Sequence, residues 1–486
     1  MNMKHNLKYK FTAAALVVAL LWGPSCKKVD FGRINNNPNT TTAPITSALL
    51  TNALSSIGSR TWDGGGISSL GGLYCQYFAE TQYTDESRYS KTTTNWDGYY
   101  AGVMYDLQNI INYNSDPATA PVAAANGSNA NQIAVAKILL QYNFWLLTDT
   151  WGDLPYTQAL KGKGVIPYDP QQTIYMGMLK TLTEAVQGFD NGKGPDGDIL
   201  FNGNVSKWKK FGNSLRMLIA LRMSKADNAN GAAEFNAARN ATGGVIEDNN
   251  DNATLAYPGG SYLNPFYNYY NIIKRDDYSV ATTIMDYMTS HGDLRNTIYG
   301  TSTVGFPYGL TRDLAVQFAN SNINYSRLMA PSVATETSGI PVVTAAHIFL
   351  ARAEAANLGW TNENVVDLYD RGIAASWSQW GIDNGSSLAN YLANGDVDLG
   401  TGNKAKKIAT QQWIAWYPNG WQGWSVWRKT GYPELSPAPG TSTIPRRLSY
   451  GPNEPQLNPA NYTPAAAQYT GSDGTNSQFA RIWWDQ

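Results

Sequence analysis

Cys26 closes the segment Gly23-Pro24-Ser25-Cys26, where small residues lead directly into a thiol. A thiol in that setting resembles a lipobox cysteine, which is acylated and becomes the new N-terminus after cleavage. What precedes it fits. Lys4, Lys8 and Lys10 make a basic start with no acid, and Phe11 to Trp22 is a 12-residue apolar run. That run is shorter than the roughly 20 residues a membrane-spanning helix needs, so it reads as a signal peptide. The expected chemistry at Cys26 is therefore lipidation, with acyl chains that hold the protein on a membrane at about 0.8 kcal/mol per buried CH₂. Cysteine is scarce in the rest of the chain, and Cys75 has no partner once Cys26 is acylated. Its apolar, aromatic neighbours (Leu73, Tyr74, Tyr77, Phe78) predict a buried, inert thiol.

Signatures of catalysis are sparse. Of the three histidines, His5 leaves with the signal, His291 sits at a helix end, and His347 lies inside an alanine-rich helix without an H-E-x-x-H setting. No cysteine or histidine cluster suits a dedicated metal, no G-x-S-x-G elbow suits a serine nucleophile, and no glycine-rich loop suits a phosphate. No cofactor is expected. Glycoside hydrolysis is the rival reading, because it needs only two carboxylates about 5–10 Å apart and the chain has 37 acids.

Aromatic residues are the abundant resource, with 16 Trp and 30 Tyr. A flat ring stacks on the apolar face of a sugar, while Asn, Asp, Arg and Tyr hydroxyls bind its polar edge. Trp96, Trp145 and Trp208 fall on apolar helical stripes and are expected in the core. Trp62 stands before Gly64-Gly65-Gly66, where no stripe claims it. Tyr267, Tyr269 and Tyr270 follow Asn264-Pro265, and Tyr325 and Arg327 share the polar run Asn322 to Arg327. Trp62, Tyr267, Tyr269, Tyr325 and Arg327 are the candidate ligand contacts. The other reading of Trp62 is a plug beneath the glycine-rich loop.

Those residues must be positioned by helices. Apolar stripes at spacings of three and four run through 45–57, 96–110, 133–147, 174–189, 208–218, 343–358, 365–375 and 404–416. Pro44 is placed as a first helical residue. The helices pair through short connections, which predicts tetratricopeptide-like packing without a clean 34-residue repeat. Alanines in 343–358 leave room for a neighbouring helix. Long loops at 58–94, 242–280, 296–340 and 430–480 are rich in Gly, Pro, Asn, Ser and Tyr, with short strands expected in 250–257 and 298–310. Loops of that length in a folded chain carry function. The expected architecture is mainly α: a helical-pair scaffold with long irregular loops and a few short strands. It is organised as a signal (1–25), a lipidated tether (26–43) and one domain (44–486).

With 43% hydrophobic and 15% charged residues, the surface polarity comes from amides and hydroxyls, which suits an extracellular protein meeting neutral ligands. The formal net charge of −1 and the lack of a basic stripe exclude nucleic acid as a partner.

Several short motifs together resemble the SusD/RagB family. They are Asn36-Asn37-Pro38-Asn39, Thr150-Trp151-Gly152-Asp153-Leu154-Pro155-Tyr156, Arg275-Asp276-Asp277 followed by Asp293-Leu294-Arg295, Trp424 to Arg428 with Gly431-Tyr432-Pro433-Glu434-Leu435, and Ile444-Pro445-Arg446-Arg447-Leu448. Gln76-Tyr77-Phe78 and Phe306-Pro307-Tyr308-Gly309 look closest to the second SusD-like subfamily. The resemblance implies an outer-membrane lipoprotein exposed at the cell surface. Such a protein captures an oligosaccharide or a peptide without catalysis, and serves as a lid on a SusC-like TonB-dependent barrel that its helical scaffold faces. The matched motifs look structural, so no ligand residue is transferred from them.

Overall fold

Asparagine, which makes this sequence polar, is also what starts many of its helices. In the computed structural model the Asn204, Asn364, Asn403 and Asn419 side chains each accept a backbone N–H from the first turn of the helix that follows. That satisfies donors the helix itself cannot pair. The structure describes residues 44–62, 67–90, 94–162, 164–382 and 385–486. The signal peptide, Cys26, the tether and Gly64-Gly65-Gly66 lie outside them.

The scaffold helices are α1 (Thr46–Thr61), α2 (Ile67–Tyr74), α3 (Tyr105–Ser115), α4 (Asn129–Trp151), α5 (Gln171–Gln187), α6 (Val205–Arg222) and α7 (Asn228–Arg239). After the middle loops follow α8 (Thr282–His291), α9 (Arg312–Ser321), α10 (Ala345–Asn357), α11 (Val365–Ser378), α12 (Ser386–Leu392), α13 (Lys404–Ala415), α14 (Gly420–Thr430) and α15 (Pro459–Gln468). Helices α3 to α7 pack each on the next, and α10 packs on α11 and α13, with α13 on α14 and α14 on α2. The expected mainly α scaffold of packed helix pairs is the architecture found. Among the described residues no helix is long and apolar enough to cross a membrane.

Helix α4 is central and buried on nearly every side from Asn131 to Trp151. It ends at Gly152, whose φ of 89° suits glycine. A Cβ there would also lie 2.2 Å from the Tyr469 hydroxyl. Two motifs far apart in sequence meet at this end. Leu448 N–H donates to the Thr150 carbonyl at 2.8 Å, and the Arg447 guanidinium donates to the Trp151 carbonyl at 3.1 and 3.0 Å. Asp153 Oδ1 accepts the Gln171 N–H at 2.8 Å and so fixes the start of α5. These motifs lock the scaffold together.

Alanine and glycine set how closely helices approach. A Cβ on Gly420 would lie 1.9 Å from the Ser68 carbonyl oxygen, so α14 crosses α2 almost backbone to backbone. Cys75 lies beside this crossing, wholly buried, and burial pushes its thiol up out of the reactive range. His347 is the third residue of α10. Its Nδ1 accepts the Thr344 N–H at 3.1 Å and its Nε2 donates to the Ala415 carbonyl at 3.0 Å. Burial lowers its pKa to about 3, so the ring is neutral.

Some expectations change. The stripe over 96–110 is not one helix: a π-helical turn spans Tyr99–Met104, with Gly102 outside helical dihedrals, before α3 begins. Pro44 precedes α1 instead of opening it. Within 250–257 a strand forms at β2 (Ala253–Leu255), but 298–310 holds a short helical turn and isolated bridges. Strands β1 (Phe78–Glu80), β3 (Tyr278–Val280) and β4 (Ile340–Val343) form outside the two segments expected to hold strands. β1 pairs antiparallel with β3, and β2 with β4.

Candidate functional site

The β1–β3 pair aligns Phe78 with Val280, Ala79 with Ser279 and Glu80 with Tyr278. Where the pair ends, the backbone that leaves β1 is tied to the backbone that enters β3. Thr81 N–H donates to the Asp277 carbonyl at 2.9 Å, its hydroxyl donates to the Asp276 carbonyl at 3.0 Å, and Gln82 Nε2 donates to Asp277 Oδ1 at 3.0 Å. This holds Tyr83 beside Arg275, whose guanidinium lies 5.8 Å from the Tyr83 ring centre. Tyr83 is 55% exposed, a large aromatic face open to solvent.

A third segment joins from the other side. Val280 N–H and the Ser279 hydroxyl both donate to the Ser326 carbonyl, at 2.9 and 2.6 Å. This pairing sets Arg327 next to Asp276, with Nη2 to Oδ2 at 2.9 Å. Tyr325 stands on Phe306, ring centres 5.3 Å apart and nearly perpendicular. Burial raises its phenol pKa, and the charge of Asp276 adds to the effect. Asp277 is the inner hub: it accepts from Arg275 Nε at 2.6 Å and from the Tyr269 hydroxyl at 3.1 Å.

The structure thus brings Tyr325 and Arg327 of the expected set together with Asp276, the chain neighbour of Arg275, which lies beside Tyr83. It places the others elsewhere. Tyr269 is buried, and its hydroxyl is taken up by Asp277, so it shapes the site from beneath. Tyr267 is half-buried on a turn capped by Asn264, and no hydrogen bond or ring contact joins it to the cluster among the described residues. The surface position expected for Trp62 is corrected. Trp62 is 1% exposed, packed between Phe266 and Trp380 with ring centres 5.6 and 6.1 Å away. Lacking a helical stripe, it found partners from two distant loops.

Tyr83 lies in a polar run with no periodicity, so no repeating pattern in the sequence marks it. In the sequence Arg275 and Asp276 stand out only as part of a motif. A tyrosine flanked by polar residues immediately after a short apolar stretch was the available signal.

Chemically, the cluster offers one exposed ring, two guanidinium groups, a carboxylate and a phenol. Exposed ion pairs such as Arg327–Asp276 contribute about 0–1 kcal/mol to stability, so folding alone gives little reason to gather these groups. They match the hydroxyl-rich edge and apolar face of a sugar. Among the described residues there is no group of His, Cys, Asp and Glu able to hold a metal. The carboxyl beside the cluster whose pKa is pushed up to about 7 by burial, Glu80, is 5% exposed and accepts the Ser87 N–H at 2.7 Å.

The family model described as SusD-like, "Starch-binding associating with outer membrane", matches residues 38–451. A solved chitin-binding protein is 27% identical, with a TM-score of 0.75 over 90% of this chain and 99% of its own. A SusD homologue from Bacteroides uniformis is 25% identical, also with a TM-score of 0.75 over 90% of this chain and 99% of its own. A chitin-binding SusD homologue from Flavobacterium johnsoniae, 22% identical, shares the fold with a TM-score of 0.74 over 91% of this chain and 98% of its own. No curated protein matches the chain.

Proposed function

The chain belongs to the SusD-like family, and on that premise we propose that it is a non-catalytic glycan-binding lipoprotein of the outer membrane whose ligand face is the cluster around Tyr83. The observation that carries this reading is the exposed Tyr83 ring beside Arg275 at the end of the β1–β3 pair, where the next residue, Asp276, pairs with Arg327. Tyr83 supplies the stacking surface, the guanidinium groups donate to ring hydroxyls, and Asp276 accepts from them. The names of the chitin-binding relatives support an oligosaccharide over a peptide.

Anchoring follows from Cys26, whose acyl chains would hold the folded body at the cell surface. Delivery follows from the family: the body acts as a lid on a SusC-like TonB-dependent barrel, with its helix pairs turned to the barrel.

Calorimetric titration of the purified chain with chitin, starch and other soluble oligosaccharides tests the ligand. We expect binding with no change in the sugar's chain length. Binding of peptides alone would replace the glycan, and cleavage abolished by one carboxylate substitution would replace the non-catalytic role. Recovery of a large β-barrel protein from detergent-solubilised outer membrane tests the partner.

A further inference from the structure

A cavity of about 630 Å³ opens between α5, α6 and the end of α7. That volume lies within the range of small-molecule sites, about 300–1,000 Å³. All the residues of its wall are among the described ones, and none belongs to the cluster around Tyr83. Lys209, Asn213 and Arg216 line it from one face of α6, at spacings of four and three. Gln187 at the end of α5, and Asn240 and Thr242 just beyond α7, add to its polar lining.

The wall carries positive charge and no aspartate or glutamate. Arg216 is 7% exposed, and its Nε and Nη2 both donate to Glu234 Oε2, which is not part of the wall. Its Nη1 has no hydrogen-bond partner among the described residues. The Lys209 ammonium likewise has no hydrogen bond or ion pair among them, whereas Lys207 donates to the Asn250 carbonyl and Lys210 pairs with Asp251. The Lys209 stem is nonetheless held. Gly243, at a φ of 96°, lies against it, and a Cβ there would stand 2.8 Å from Lys209 Cβ and 3.3 Å from its Cδ. The ammonium itself lies 5.9 Å from the centre of the Phe189 ring.

Acceptors stand beside these donors. Asn213 Nδ2 donates to the Thr242 and Gly244 carbonyls at 3.3 and 2.9 Å, which leaves its Oδ1 to accept. The Thr183 hydroxyl, also in the wall, already donates to the Leu179 carbonyl at 2.9 Å. Helices α5 and α7 both end at the cavity, and the last carbonyls of a helix have no partner within it. Those ends carry partial negative charge, which disfavours a bare anion and suits one that brings donors of its own.

We propose that this cavity is a second ligand site, one that takes a carboxylate carried on a hydroxyl-rich ring, as in a uronic acid. The carboxylate accepts from the Lys209 ammonium and the free Arg216 N–H. The ring hydroxyls donate to Asn213 Oδ1 and the helix-end carbonyls, and accept from the Gln187 and Asn240 amides. A neutral sugar leaves the ammonium charge unanswered. A simple carboxylate leaves the carbonyls unanswered.

Calorimetric titration with glucuronate and galacturonate, against glucose, galactose and acetate, tests the site. At least one uronate binds, and its neutral parent sugar and acetate bind at least about tenfold more weakly, as expected for the loss of a charge-assisted hydrogen bond. Lys209→Met keeps the stem that lies on Gly243, so it leaves the melting temperature unchanged and weakens the uronate about tenfold. Lys209→Arg, which keeps the charge, weakens it less. Tyr83→Ala leaves this affinity unchanged, which separates the cavity from the loop cluster. No binding of either uronate, equal binding of uronate and neutral sugar or of uronate and acetate, or an affinity indifferent to Lys209→Met overturns the proposal.

Discussion

Trp62 lies against Trp380 with ring centres 6.1 Å apart and planes 29° from parallel, while Phe266 covers it from another side. A ring so enclosed contributes through packing. Trp62→Ala is expected to lower stability by about 3–5 kcal/mol and to leave the glycan affinity of the folded protein unchanged. Urea unfolding followed by titration below the transition checks both. Unchanged stability with lost affinity would return Trp62 to the ligand face.

Tyr83 and Arg327 should show the opposite behaviour. Both are exposed, and the Arg327–Asp276 pair is half open to water. Tyr83→Ala and Arg327→Ala are expected to change stability by less than about 1 kcal/mol. Each should weaken the preferred oligosaccharide at least about fivefold, as expected for a lost stacking contact or charge-assisted hydrogen bond. If both variants bind like the parent, the ligand face lies elsewhere.

Glu80 predicts a pH dependence. Burial raises its carboxyl from the ordinary 4.5 to about 7 in the folded chain. Between those values the folded protein holds a proton that the unfolded chain has released, so its contribution to stability falls as pH rises through this window. Glu80→Gln is expected to stabilise the protein at pH 8 by as much as about 3 kcal/mol and by little at pH 4.5. Comparison of urea midpoints for parent and variant at the two pH values checks the sign. A variant less stable than the parent at pH 8 would show that the ionised carboxylate is the favoured form.

The α2–α14 crossing admits no methyl group. A Cβ on Gly420 would meet the Ser68 carbonyl at 1.9 Å and the Gly72 nitrogen at 2.1 Å, both backbone atoms that cannot swing aside. Gly420→Ala is expected to cost about 1–3 kcal/mol or more, although alanine favours helix more than glycine does. Thermal unfolding checks it. A neutral effect would mean that the two helices separate easily.

The helices were legible because each stripe is local. Ile174, Met178 and Leu182 recur at the helical period and lie on the buried side of α5, and Asn204 and Asn364 stand where first turns need acceptors. Short motifs also carried the family, since Trp151, Gly152 and Arg447 are constrained by contacts that few other residues satisfy. The strands and the ligand face were not legible in this way. A three-residue strand has too few positions to show alternation, so β1 and β3 exist through each other. The cluster around Tyr83 draws on residues 83, 275–277 and 325–327, which become neighbours only when the Ser279–Ser326 and Thr81–Asp277 hydrogen bonds form. Trp62 makes the same point in reverse. Its local sequence left its environment open, and burial was decided by Phe266 and Trp380, over two hundred residues away in the chain. Local periodicity therefore determined the scaffold from sequence, while the pairing of distant loops decided which aromatic rings face water.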